Sequence, residues 1–260
     1  MTPDVVVDVG NSRIKFGCCA LPEPHPDRWV RDSAALPPDD RDGWAATVAG
    51  WLGDAPGRWA VAGVHPERVT AVAGWVTARG GQLLVIDRHD QIPLPVAVDE
   101  PARVGIDRLL GAYAATRRAP PGEPVVSVDV GTAVTLNYVD AAGTFRGGAI
   151  LPGPQLMARA LHQHTAKLPP VVPGFVLRDD FIGRNTDAAI RIGIQSAVFG
   201  AVDHFLTVLA YDLGQKLNVY VTGGGAVFLR GLHEASYLAD FGMPHRLVLD
   251  GIRLAAEALP

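Results

Sequence analysis

A hydrophobic run ending in Asp-x-Gly occurs twice in this chain, and that repetition narrows the folds open to it more than any other feature. Val5–Gly10 reads VVVDVG and Val126–Gly131 reads VSVDVG. In each copy small polar residues follow the glycine, and then a second strand-like run: Ile14–Ala20 in the first, Val134–Val139 in the second. Glycine at the bend permits the tight turn of a β-hairpin. The likeness continues downstream, where Trp59–Val64 (WAVAGV) parallels Val219–Gly224 (VYVTGG) as a strand running into glycine. Each is followed by a predicted helix and then by an apolar run ending in Asp. These runs, Gln82–Asp87 (QLLVID) and His245–Asp250 (HRLVLD), are both predicted as strands. The chain reads as two copies of hairpin, further strand and βαβ unit, an α/β fold of mixed sheets with helices on both faces.

The copies are separated by a predicted helix, Gly105–Arg118, and by Ala119–Pro124, where three prolines break it. The boundary is placed there, giving an N-terminal domain over 1–118 and a C-terminal domain over 119–260. The second copy carries additional helical sequence, Gln155–His164 and Thr186–Leu213. Its apolar face has no counterpart in the first copy, and a homodimer is expected from it. Leu21–Asp42 reads as a loop-rich excursion around one short strand, and Pro93–Pro101 as an extended connector.

Composition excludes several classes. With 48% hydrophobic and 19% charged residues the chain is not disordered, and 260 residues bury a sizeable core. A net charge of −4 without a Lys/Arg block gives no footprint for nucleic acid or a membrane surface. No uninterrupted apolar stretch reaches the roughly 18 residues of a membrane span, and the opening MTPDVVVDVGNS turns polar too early for a signal peptide. The two cysteines, Cys18 and Cys19, are adjacent and make no disulfide framework. A cytoplasmic protein is expected.

Asp8-Val-Gly-Asn-Ser12 has the parts of a phosphate-binding turn. Gly10 lets the backbone approach a ligand, Asn11 and Ser12 can donate to phosphate oxygens, and Asp8 can hold Mg²⁺ directly or through water. A single such turn is equally explained as a hairpin whose polar residues satisfy its own backbone. Asp129-Val-Gly-Thr-Ala133 is the second copy. Two such turns, one per half, facing each other across a nucleotide cleft, are the architecture of the duplicated actin-like (ribonuclease H-like) group, which includes actin, Hsp70 and the sugar kinases. Val221-Thr-Gly-Gly-Gly225 fits as a glycine-ended strand along which a nucleotide passes. Gly105-Ile-Asp-Arg108 opens a helix. Asp107 reads either as a helix-start acid or as a general base toward an acceptor hydroxyl, and Arg108 either as solvated or as a fork for a substrate carboxylate.

The ordered set DVGNS, GIDR, DVGTAVT, GGAILPG (147–153), HTAKLP (164–169), IGRNT (182–186) and VTGGG resembles the pattern of type III pantothenate kinases over nearly the whole chain. The resemblance implies ATP-dependent phosphorylation of pantothenate to 4'-phosphopantothenate, the first step of coenzyme A synthesis. It also implies Mg²⁺, a monovalent cation (K⁺ or NH₄⁺) and a homodimer. By position, Asp8, Gly10, Asn11, Ser12 and Lys15 match the first phosphate and metal turn, and Gly131, Thr132 and Ala133 the second, with Gly223 and Gly224 on the nucleotide. Asp107 matches the catalytic aspartate. Val98, Gly105, Ile106 and Arg108 match the pantothenate side, Thr186 a threonine reaching pantothenate across the dimer, and Asp129 the monovalent-cation aspartate. Three positions depart from the pattern: Ser12 for Thr, Asn137 for Asp, and Val98 for an aromatic that packs on the substrate. The rival readings are an exopolyphosphatase-like phosphohydrolase, which lacks a matching water-activating Glu here, and a non-catalytic regulatory paralogue, which would be expected to have lost its carboxylates.

Overall fold

The computed structural model describes residues 1–19, 29–176 and 181–259. The chain divides into two compact units, Met1–Pro120 with Gly143–Arg146 and Arg246–Pro260, and Pro121–Ala142 with Gly147–His245. The prolines predicted to break the chain lie at the first crossing, while the C-terminal segment joins the first unit.

In the first unit β1 (Val5–Val9), β2 (Ile14–Cys18), β3 (Asp32–Leu36), β4 (Arg58–Gly63) and β5 (Gln82–Ile86) form one sheet in the order β3-β2-β1-β4-β5. β1 is antiparallel to β2 and parallel to β4, so the sheet is mixed. β3 is the one short strand expected in the excursion over 21–42, of which residues 21–28 lie outside the described residues. Strand side chains alternate between faces. One face of β1, Val5, Val7 and Val9, packs with Phe16, Trp59 and Val61 against α1 (Arg41–Leu52) and α2 (Pro66–Ala78), through Trp44, Val48, Val72 and Val76. Trp75 meets Trp44 and Trp59 edge-on with ring centroids 5.8 Å apart in each pair, the arrangement the ring quadrupoles favour.

The opposite face, which includes Val6, is covered by α3 (Ile106–Thr116) and α6 (Leu247–Ala258). α6 corrects one expectation, because His245–Asp250 was predicted as a strand. Its apolar run is instead the buried start of a helix, for which Gly251 is required: a Cβ there would lie 2.1 Å from the Leu110 carbonyl oxygen on α3. Asp250, in the same turn, is 3% exposed and accepts from Val30 N at 3.0 Å and from Arg118 Nη2 at 2.7 Å.

The second unit repeats the plan. β6 (Val125–Val130), β7 (Ala133–Val139), β8 (Phe145–Pro152), β9 (Leu217–Thr222) and β10 (Leu238–Gly242) run in the order β10-β9-β6-β7-β8, with β6 antiparallel to β7 and parallel to β9. The outer strand that matches β5 is thus β10. Between β8 and β9 lie the two predicted extra helices, α4 (Pro154–Gln163) and α5 (Thr186–Leu213). Asn185 caps α5 by accepting from Ala188 N at 2.8 Å, and Gly214 ends it in the left-handed region at φ 63°. By length and composition α5 would suffice to cross a membrane. Its residues Ile190, Ile194, Val198, Val202, Leu206 and Ala210 recur every fourth position and are buried, and from Val198 onward they join Val126, Val128 and Val219 in the core of this unit.

Candidate functional site

The first Asp-x-Gly turn is a tight hairpin. Asp8 is 5% exposed and pairs in register with Lys15, whose Nζ lies 3.1 Å from Asp8 Oδ2. Gly10 N donates to Arg13 O at 3.1 Å, leaving Asn11 and Ser12 exposed at the tip. The turn abuts the end of β4, where Gly63 is required because a Cβ would come 2.5 Å from Val9 O. Beyond it Val64 N donates to Val9 O at 3.2 Å, and Arg68, in the first turns of α2, donates from Nη1 to Gly10 O at 3.3 Å and Asn11 O at 2.5 Å. No local pattern marks Arg68, since the contact joins residues more than fifty apart.

Around the second turn three glycine-containing segments converge. Gly131 N donates to Ala133 O at 2.9 Å, and Thr132 stands exposed at the tip. Gly153, which ends the GGAILPG segment, donates its amide to Thr132 O at 3.0 Å, and a Cβ on it would meet Gly131 O at 2.1 Å. Gly223 has φ +95°, and a Cβ there would lie 2.3 Å from Asp129 Oδ1 and 2.6 Å from Val130 O. Gly225 N donates to Val130 O at 2.9 Å, whereas a Cβ on Gly224 would meet nothing within 4 Å. Gly131, Thr132, Ala133 and Gly223 are therefore brought together at the β6 end with Asp129, and Gly224 leaves that edge open. On the Asp129 face of the sheet, Asn137 is 2% exposed and donates to Ser127 Oγ at 3.3 Å and Thr135 Oγ1 at 3.4 Å. The amide where the pattern has Asp is thus part of a buried neutral network.

At the start of α3, Gly105 is the N-cap, and a Cβ on it would sit 2.6 Å from Asp107 Oδ1. Asp107 Oδ1 accepts from Arg108 N at 2.8 Å, and Ile106 is buried. The Arg108 guanidinium is half-buried, its carbon 5.8 Å from the centre of the Phe145 ring. Burial holds Arg108 below the ordinary guanidinium pKa, and the nearby Asp107 charge opposes that shift. Phe145 is fully buried. Its amide donates to Pro95 O at 2.8 Å and its carbonyl accepts from Ala97 N at 3.0 Å, which fixes the connector leading to half-buried Val98. Phe145 is a residue the sequence reading missed. Thr186, in the second unit, lines an apolar groove of about 770 Å³ between α4 and α5, with Leu156, Leu161, His164 and Ile190.

Among the described residues no group of three or more His, Cys, Asp or Glu side chains assembles. Asp8 and Asp129 each offer a carboxylate at a backbone turn. Such a donor set suits a hard cation that completes its shell with water and phosphate oxygens.

A model of the type III pantothenate kinase family matches residues 5–207. A type III pantothenate kinase of Desulfovibrio desulfuricans is 31% identical over 261 aligned residues, covering 97% of this chain and 96% of that protein. One from Rhodopirellula baltica is 43% identical over 141 residues, 53% of this chain and 50% of that protein, so this match spans half the relative's length. Among solved structures, a Campylobacter jejuni protein described as a Baf family transcriptional activator superposes with a TM-score of 0.59 at 16% identity, covering 97% of each chain, which establishes a shared fold.

Proposed function

The chain belongs to the type III pantothenate kinase family, and on that premise we propose that it transfers the γ-phosphoryl group of ATP to the primary hydroxyl of pantothenate. This is the first step of coenzyme A synthesis. The observation that carries the reading is the match to the D. desulfuricans relative over 97% of this chain and 96% of that protein. The phosphohydrolase and regulatory readings have no comparable support.

In this reading each turn is a phosphate-side turn of its own unit: the Asp8–Ser12 turn, with Lys15, and the Gly131–Ala133 turn, with Gly223 and Gly224, each offer backbone amides and hydroxyls to nucleotide phosphates. Phosphoryl transfer demands positioning and charge compensation more than covalent chemistry from the protein. Asp8 would hold Mg²⁺ through water, which would supply charge neutralisation at the phosphates, and Asp129 would hold the monovalent cation. Asp107 accepts the proton of the attacking hydroxyl, and the Arg108 fork holds the carboxylate of pantothenate. Gly105, Ile106 and Val98 complete the acceptor side. Supporting these roles, Asp107 and Arg108 are adjacent at a helix start, and Arg108 is half-buried.

A homodimer also belongs to this reading. It is supported by the apolar α4–α5 groove, with Leu156 39% exposed on its wall, and by Val208 and Tyr211 exposed on α5 at 43% and 85%. Thr186 would then reach the partner's pantothenate. A cytoplasmic location belongs to this reading as well, and the Cys18 and Cys19 thiols are buried. The test is a coupled ADP-release assay with pantothenate, with and without Mg²⁺ and K⁺. Turnover that requires pantothenate and both cations is expected. ADP release indifferent to pantothenate overturns the reading.

A further inference from the structure

Three consecutive carbonyls of the first turn are held from the β4–α2 corner. Val9 O accepts from Val64 N at 3.2 Å, Gly10 O from Arg68 Nη1 at 3.3 Å, and Asn11 O from the same nitrogen at 2.5 Å. A peptide unit is planar and trans, so its N–H points opposite to its C=O, and no cis peptide occurs among the described residues. The Gly10 carbonyl shares its peptide plane with the Asn11 amide, and the Asn11 carbonyl with the Ser12 amide. A guanidinium that draws both oxygens toward α2 therefore turns both N–H groups the other way. Successive amides aimed to one side form a concave anion site. The exposed tip of a hairpin samples many orientations unless its backbone is tied down; Gly10 N to Arg13 O at 3.1 Å is one such tie, and Arg68 supplies two more.

We propose that Arg68 is a positioning residue of the phosphate turn, holding the Gly10 and Asn11 carbonyls so that the Asn11 and Ser12 amides face the nucleotide phosphates. The inference rests on the reading of Asp8–Ser12 as a phosphate-side turn. Arg68 donates from Nη1 to two main-chain oxygens, so its effect on the nucleotide passes through the shape of the turn. A lysine, with a point charge on a flexible stem, reproduces the charge without the planar guanidinium that fixes the two N–H directions of that nitrogen.

The test is steady-state kinetics of the full chain. Arg68→Ala should raise KM for MgATP about tenfold, as expected for losing charge-assisted hydrogen bonds, with KM for pantothenate changed less than about twofold. Added methylguanidinium should restore much of the loss, and methylammonium should not. Equal rescue by both ions, or Arg68→Lys with the wild-type KM for MgATP, overturns the proposal, and the lysine variant serves if Arg68→Ala fails to fold. Ser12→Ala is measured beside them. If it raises KM for MgATP while Arg68→Ala does not, the positioning role is wrong and the turn assignment stands. If neither variant moves KM for MgATP, the turn assignment itself falls, and the proposal with it.

Discussion

Replacing Gly223 by alanine tests the tightest contact near Asp129. The added methyl would lie 2.3 Å from Asp129 Oδ1, 2.6 Å from Val130 O and 2.8 Å from Val130 C, against an ordinary contact that begins at 3.4 Å. The carboxylate would have to retreat by about 1 Å, and the end of β6 by somewhat less, in an interior packed too closely to absorb the change freely. The backbone adds its own cost, because φ at Gly223 is +95° and a side chain in left-handed space costs about 1–2 kcal/mol. Overpacking adds about 1–3 kcal/mol. Together, about 2–5 kcal/mol should lower the melting temperature by about 5–15 °C for a chain of this size. Shifting Asp129 by about 1 Å should also cost about a hundredfold in kcat, the usual penalty for such a displacement. Differential scanning calorimetry and the coupled assay read the two effects. Gly224→Ala is the stability control, since its methyl would meet nothing within 4 Å, and it should melt within about 2 °C of the parent. If Gly223→Ala also melts there, the contact with Asp129 does not exist in solution and the cost assigned to it is wrong.

Asp107→Asn should lower kcat by about a hundredfold or more while nucleotide affinity, read by a fluorescent ATP analogue, hardly changes; retained turnover would leave Asp107 as a helix-start acid only. Phe145→Leu should raise KM for pantothenate several-fold, since a cation–π contact of this kind is worth about 0.5–2 kcal/mol, and Phe145→Tyr should largely preserve it; equal KM values for both variants would remove Phe145 from the support of Arg108. Asp4 is held below the ordinary carboxylate pKa, first by its side-chain hydrogen bonds with Arg58, at 2.8 and 3.1 Å. A depressed folded-state pKa stabilises the fold above the unfolded value near 3.8, and that stability is lost as pH falls through the lower folded value. Asp4→Asn should therefore reduce stability at neutral pH and flatten its acid limb in urea titrations, and an unchanged limb would contradict the assignment.

The hairpins were legible because their causes are local. Alternating valines, an Asp at the strand end and a glycine at the bend occupy six residues, and each hairpin formed where the repeat predicted it. The long helix was equally plain from its periodicity. The segment after His245 misled because a short apolar run with Val and Leu suits either a strand or a buried helix. What decides it is the close crossing with α3 at Gly251, a neighbour over a hundred residues away. The Asp-x-Gly turns stood out by type and spacing, whereas the roles given to the GIDR residues came from the resemblance to the family pattern. Arg68 and Phe145 were not found, because an arginine bound to distant carbonyls and a phenylalanine beneath a guanidinium leave no pattern in their own neighbourhoods.

The return of residues 246–260 to the first unit sets an order of assembly during synthesis. A ribosome that has released residues 1–120 has made α1 and α2, the two helices of the first sheet's aromatic side, but not α6, whose Leu249 lies against Val6 and Gly17 on the other face. Until the last helix emerges, α3 has no Gly251 to pack its Leu110 turn against, and the carboxylate of Asp250 is not there for Arg118 and Val30. The second unit, complete by His245, can close first although it is translated second. While residues 121–245 are being made the nascent first unit therefore has that face covered by α3 alone, and a chain truncated before Leu247 should be recovered as a chaperone-bound or aggregated species.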